Sequence, residues 1–178
     1  MKNIIIILGI LFITVACKAQ QIVPLGTSYE SIENRNFYIK DIDNHHDAIV
    51  GVWKWEDGDN SFEITLQEFE MFNYPPNLQQ FRDEIFGKYT YIENGVQIAF
   101  VSEINVTPDA VLYVNYLSPT SYNVIMVDVS TGAYKVGEFT LLDDNTATLS
   151  LRASEGFKID YVGSENFSLP TDITLIKQ

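Results

Sequence analysis

Between Ser61 and Gln67 the chain alternates cleanly, with Phe62, Ile64 and Leu66 on one parity and Glu63, Thr65 and Gln67 on the other. A period of two predicts a half-buried β-strand. The preceding Val50–Trp55 is apolar on both parities, as suits a strand with a barrel interior on one side and a covering segment on the other. Asp57-Gly58-Asp59-Asn60 lies between the two. These residues tolerate positive φ, so the pair reads as a hairpin. The same pattern predicts strands over Lys88–Ile92, Val96–Val101, Val111–Leu117, Tyr122–Val129, Tyr134–Leu142, Thr146–Ala153, Phe157–Val162 and Ile173–Ile176. Turn residues divide them at Ser118-Pro119, Ser130-Thr131-Gly132 and Asp143-Asp144-Asn145. Glu93-Asn94-Gly95 is the strongest hairpin signal, because Asn-Gly accommodates a type I′ turn.

Elsewhere the pattern is weaker. Pro75-Pro76 cannot sit in a central strand. Apolar residues at 78, 81, 85 and 86 predict a short helix over Leu78–Phe86. Asp43 or Asn44 is placed to cap a helical turn over Asn44–Ile49. Val23–Tyr38 reads as irregular chain draped over the barrel, with Phe37, Tyr38 and Ile39 docking. About ten strands at spacings of roughly eight to twelve residues, with almost no helix, predict an antiparallel sandwich or an up-and-down barrel. With no internal repeat or shift in composition, residues 47–178 read as a single β-barrel domain, and residues 17–46 as a tether and irregular N-terminal segment.

The first residues are of another kind. Lys2 precedes an apolar run, Ile4–Val15, broken only by Gly9 and Thr14. It is too short to span a bilayer comfortably, which takes about 20 residues, and it ends in Thr14-Val15-Ala16-Cys17. Residues 1–16 therefore read as a secretory signal peptide. The cysteine at the cleavage point resembles a bacterial lipoprotein signal, which implies lipid on Cys17 and attachment to the membrane through it. Cys17 is the only cysteine, so the lipidated chain has no disulfide and no thiolate metal ligand. The formal charge of −13, from 24 acidic and 11 basic residues, repels phosphate backbones and sets nucleic acid aside as a partner.

His45 and His46, the only histidines, stand among Asp41, Asp43 and Asp47. Imidazole and carboxylate are metal-ligand chemistry, but neighbouring histidines on a strand point opposite ways and the spacing fits no zinc signature. A calcium loop begun at Asp41 would place His46 at its sixth position and Val52 at its twelfth, where glycine and glutamate belong. The expectation is an acidic solvated turn with no metal, and no cofactor is implied elsewhere. With no Gly-x-Ser-x-Gly and no free thiol, and no particular pair of carboxylates singled out for glycoside chemistry, no enzyme is expected. Trp55, Tyr89, Tyr91, Phe100 and Tyr113 are candidates to line a barrel for a small apolar ligand. Aromatics also suit strands and fill small barrels.

Gly51-Val52-Trp53, opening the first strand after a short helical turn, resembles the Gly-x-Trp start of lipocalin-like, or calycin, barrels. The resemblance implies an antiparallel meander closing into a barrel of about 8–10 strands. It also implies a floor made by Gly51 and Trp53, with a cation from the last strand across the tryptophan ring; Arg152 is the candidate. Further stretches are similar to a family of small Bacteroidota lipoproteins of unknown function: Cys17-Lys18-Ala19-Gln20, Ile22–Tyr29, Tyr38-Ile39-Lys40-Asp41, Gly51–Trp55 and Gly87–Gly95. That likeness carries no catalytic residues. With no acid directly after Cys17, it implies the periplasmic face of the outer membrane. Two functions follow as expectations: a lipid-anchored carrier of a small apolar ligand, or a protein-interaction or envelope-structural module with a filled barrel and an envelope protein as partner.

Overall fold

The computed structural model describes residues 20–32, 36–73, 78–107, 109–153 and 166–178. Cys17 and the strand expected over residues 157–162 lie outside them. Eleven strands are present: β1 (Gln21–Pro24), β2 (Phe37–Lys40), β3 (Gly51–Asp57), β4 (Asn60–Phe72), β5 (Gln80–Glu93), β6 (Val96–Phe100), β7 (Leu112–Ser118), β8 (Ser121–Val127), β9 (Tyr134–Leu141), β10 (Thr146–Arg152) and β11 (Asp172–Lys177). Hydrogen bonding runs β5-β4-β3-β11-β10-β9-β8-β7, and β7 pairs back onto β5. The result is an eight-stranded, closed, antiparallel β-barrel of lipocalin-like form with β1, β2 and β6 at its periphery.

Closure depends on the length of β5. Its 14 residues present one edge to three partners in turn: β2 at Gln80–Arg82, β7 at Ile85–Gly87 and β6 at Thr90–Glu93. The helix expected over Leu78–Phe86 is therefore strand. Asp83 and Glu84 are both 4% exposed, and two buried acids side by side disguise the period of two. Gly87 faces inward, where a Cβ would stand 2.6 Å from Leu112 Cδ2 and 2.8 Å from the carbonyl oxygen of Thr65.

The segment expected to be irregular also adds strands. β1 and β2 pair in parallel, from Gln21↔Phe37 to Pro24↔Lys40, and β2 runs parallel to the start of β5. Val23, Phe37 and Ile39 form a small apolar cluster of their own, backed by Leu25 and Ile32.

The tight turns follow their residues. Asn94 and Gly95 take φ of 51° and 75°, both positive as the type I′ hairpin requires, and Gly58 takes 60°. In an up-and-down barrel consecutive turns alternate between the ends. The β3–β4 turn, with Asp57 and Asp59, is thus at one end. The β9–β10 turn, with Asp143 and Asp144, is at the other, beside the helical turn His46–Ala48. No helix among the described residues is long and apolar enough to cross a membrane.

Candidate functional site

Strand parity decides what lines the barrel. From β4, Phe62, Ile64 and Leu66 point inward, as the alternation predicted, and none is more than 1% exposed. From β5 come Ile85, Tyr89 and Tyr91, from β7 Leu112 and Val114, from β8 Tyr122, Val124 and Met126, and from β10 Ala147, Leu149 and Leu151. Of the five expected lining residues, Tyr89 and Tyr91 belong to this core, and the half-buried Trp55 packs against it. The other two do not. In β6 it is Ala99 that turns inward, opposite Tyr91, leaving Phe100 53% exposed. In β7 the buried parity is Leu112 and Val114, so Tyr113 lies on the outer face.

Five large rings of the described interior are closed off from solvent. Trp53, Phe62, Tyr89, Tyr122 and Phe139 are each 0–1% exposed. A void wide enough for a water molecule would expose the rings that border it, so none borders these. They meet edge-on or tilted, with Trp53 and Phe139 centroids 5.1 Å apart and Phe62 and Tyr89 5.7 Å apart. Buried hydroxyls are satisfied: Tyr89 donates to the carbonyl of Val127 at 2.7 Å and accepts from Val129 N–H at 2.9 Å. Burial pushes the Tyr89 pKa up to about 12; the Val129 N–H works against that and the nearby Asp128 charge adds to it.

On the outer face, Tyr113 donates to Glu84 Oε2 at 2.7 Å, and Arg82 Nε pairs with Glu84 Oε1 at 3.0 Å. Burial holds the Glu84 carboxyl above its ordinary value, with Arg82 and Tyr113 opposing. With Phe72, Phe86, Thr107 and Ile125 these residues line a groove of about 240 Å³, below the roughly 300–1,000 Å³ usual for small-molecule sites.

The floor is built around Gly51 and Trp53. Gly51 has φ of 127°, a conformation essentially reserved to glycine. The chain can thus pass from the helical turn into β3 and drop Trp53 into the barrel. Trp53 is fully buried, and its Nε1–H donates to the carbonyl of Ile49 at 2.7 Å. The cation across its ring is Lys177, with Nζ 5.4 Å from the centroid, rather than Arg152. Register gives the reason. Thr146 pairs with Ile176, beside Lys177. Arg152, at the far end of β10, lies about 20 Å along the strand, exposed at the other mouth of the barrel. Lys177 Nζ also donates to the carbonyls of Asp47 and Ala48 at 3.2 and 2.8 Å.

Below Trp53 lies a polar cluster of which the sequence showed only part. The helical turn does form, over His46–Ala48, but neither Asp43 nor Asn44 caps it. Asp41 does: its carboxylate oxygens accept from His45 N–H at 2.9 Å and His46 N–H at 2.7 Å. The two histidines then diverge. His45 stacks on Tyr116 with centroids 5.1 Å apart. His46, 2% exposed, turns inward and is hydrogen-bonded through Nδ1 to Glu68 Oε1 at 2.7 Å. Asp83, from β5, accepts from the Asp41 N–H at 2.9 Å, from the Tyr38 hydroxyl, and from the N–H of Met71 at 3.2 Å. Met71 sits in the β4 bulge at φ of 54°, a strained position for a non-glycine residue. Burial, then the Asp83 contact, raises the Tyr38 pKa. Glu68 and Asp83 escaped the sequence reading because they stand 22 and 37 residues beyond His46, on strands whose pairing the sequence does not announce. The expected solvated turn is so only in part: Asp43, Asn44 and Asp47 are exposed, whereas Asp41 and His46 are buried.

No curated protein and no solved structure matches the chain. Over residues 1–178, its whole length, it matches a family of unknown function, DUF6705. The chain, an eight-stranded closed barrel with a polar floor, belongs to that family.

Proposed function

We propose that the protein is a lipid-anchored, non-catalytic envelope component whose barrel is a packed scaffold and whose outer surface engages a protein partner. One observation supports this: the inward rings of Trp53, Phe62, Tyr89, Tyr122 and Phe139 are buried at 0–1% exposure. A small apolar ligand would have to displace rings that already bury their own surface, at roughly 1.5–3 kcal/mol per large side chain re-exposed. The module reading therefore stands ahead of the carrier reading. The anchoring part rests on the sequence: Lys2, the Ile4–Val15 run and Cys17, with the likeness to Bacteroidota lipoproteins. Lys18-Ala19-Gln20-Gln21, which lacks an acid, supports the periplasmic face of the outer membrane. The charge of −13 favours a basic partner surface. Acid is available at both ends, from Asp57 and Asp59 at one and from Asp47, Asp143 and Asp144 at the other.

The test is crosslinking in cells with an affinity-tagged protein. A discrete partner is expected, lost on paired charge reversal at one end, either Asp57→Lys with Asp59→Lys or Asp143→Lys with Asp144→Lys. In the same cells Cys17→Ser is expected to move the protein to the soluble fraction. Absence of any specific adduct would contradict the partner, and continued pelleting of the Cys17→Ser protein would contradict the anchor.

A further inference from the structure

Three elements bring Asp41, His46 and Glu68 together at the floor: the loop after β2, the helical turn and β4. One ligand atom from each lies within 4.8 Å of the other two. The His46 side chain is 3% exposed, Asp41 4% and Glu68 26%, so the group is shut on the core side and reaches solvent only across Glu68. It is also short of positive charge. Asp83 stands behind Asp41, and among the described residues no lysine or arginine forms an ion pair with Asp41, Glu68 or Asp83. Three carboxylates gathered around one imidazole favour a cation.

We infer that Asp41, His46 and Glu68 form a three-ligand site for a first-row divalent cation of the zinc class at the barrel floor. The donor set, one imidazole nitrogen and two carboxylates, suits that class. Two donors each about 2.1 Å from a tetrahedral ion stand about 3.4 Å apart. The separations here bracket that figure: His46 Nδ1 to Asp41 Oδ2 is 3.8 Å and to Glu68 Oε1 is 2.7 Å. The shorter is a hydrogen-bond distance, and the ion takes the place of the proton between the two atoms. The imidazole keeps one proton, carried on Nε2 when Nδ1 holds the ion, and no bond other than the coordinate bonds is made. Asp41 retains its backbone contacts, because an ionised carboxylate has about four acceptor positions and the cap uses two. Solvent on the Glu68 side supplies the fourth ligand. The Asp83 carboxylate, bonded to Asp41 N–H, Tyr38 and Met71 N–H, fixes the loop from behind. The ion would tie the segment leading from the N-terminus to the closed end of the barrel.

The experiment is calorimetric titration of the metal-stripped full chain, in mild detergent, with zinc alone in two buffers of different ionisation enthalpy. One ion per chain is expected, with the same stoichiometry in both buffers. Thermal unfolding is expected to shift upward with zinc. Glu68→Gln preserves the hydrogen bond to His46 and removes a ligand charge; it and His46→Gln are each expected to weaken binding by at least about tenfold. His45→Gln, which alters the ring stacked on Tyr116, is expected to leave affinity unchanged. Absence of one-to-one binding, or binding that survives both Glu68→Gln and His46→Gln, would overturn the site and assign any zinc to the acidic surface.

Discussion

Trp53→Ala is expected to destabilise the protein by about 3–5 kcal/mol, the range for truncating a large buried aromatic. Three losses act together. The indole is fully buried and meets Phe139 edge-on at 5.1 Å, so its removal leaves a cavity in a closed barrel that cannot collapse easily. The Nε1–H bond to the Ile49 carbonyl disappears, leaving a buried acceptor, which costs about 1–3 kcal/mol if no water replaces the donor. Lys177 loses the ring beneath it while keeping its bonds to the carbonyls of Asp47 and Ala48. Trp53→Phe separates these contributions: it restores most of the packing without the hydrogen bond and is expected to cost about 1–3 kcal/mol. Urea unfolding followed by far-ultraviolet circular dichroism reads both. A loss under about 1 kcal/mol for Trp53→Ala would mean that the indole is not the floor of the barrel.

Asp128→Asn is expected to cost about 2–3 kcal/mol and to alter the acid limb of the stability profile. The Asp128 side chain is completely buried at the end of β8. One oxygen accepts from Ser130 N–H at 2.9 Å and Ser130 Oγ at 2.6 Å, and the other from Ser168 N–H at 2.7 Å and Ser168 Oγ at 2.8 Å. It thus joins the β8–β9 turn to the segment that brings Leu169 onto the core. Asparagine can accept on one side only, so one pair of donors loses its acceptor. Burial alone would raise the Asp128 pKa, but the hydrogen bonds from Ser130 and Ser168 outweigh it and hold it below the ordinary carboxylate value. A depressed folded pKa means that the stabilisation is complete above the unfolded value of about 3.9 and is lost as pH falls through the folded one. The wild type is therefore expected to lose this contribution below about pH 4, and Asp128→Asn to lack that part of the decline. Equal acid limbs for the two proteins would remove Asp128 from the account.

Where one face of a strand is polar, the fold was legible in the chain. Ser61–Gln67 alternates because its outer face meets water, and Asn94-Gly95 announces its turn because few other pairs take two positive φ values. β5 was half hidden, because Asp83 and Glu84 are buried acids whose partners come from distant chain, Tyr38 for one and Tyr113 for the other. β1 and β2 were missed because they are short and pair in parallel, without a hairpin to mark them. At the floor, Gly51 and Trp53 could be read from their order, whereas Lys177 follows only from the β11–β3 register. Local sequence placed Asp41 near His46, but only the sheet brings Glu68 to the same ring.

The central claim is that the barrel is full. Its most direct test is to produce Lys18–Gln178 in a bacterial periplasm, expose it to native envelope extract and weigh it by native mass spectrometry. The expected spectrum shows the polypeptide with no organic adduct, because a ligand would have to displace inward rings that are buried at 0–1% exposure. A discrete added mass in the range of a fatty acid, sterol, carotenoid or haem, lost on denaturation, would contradict the account and restore the carrier.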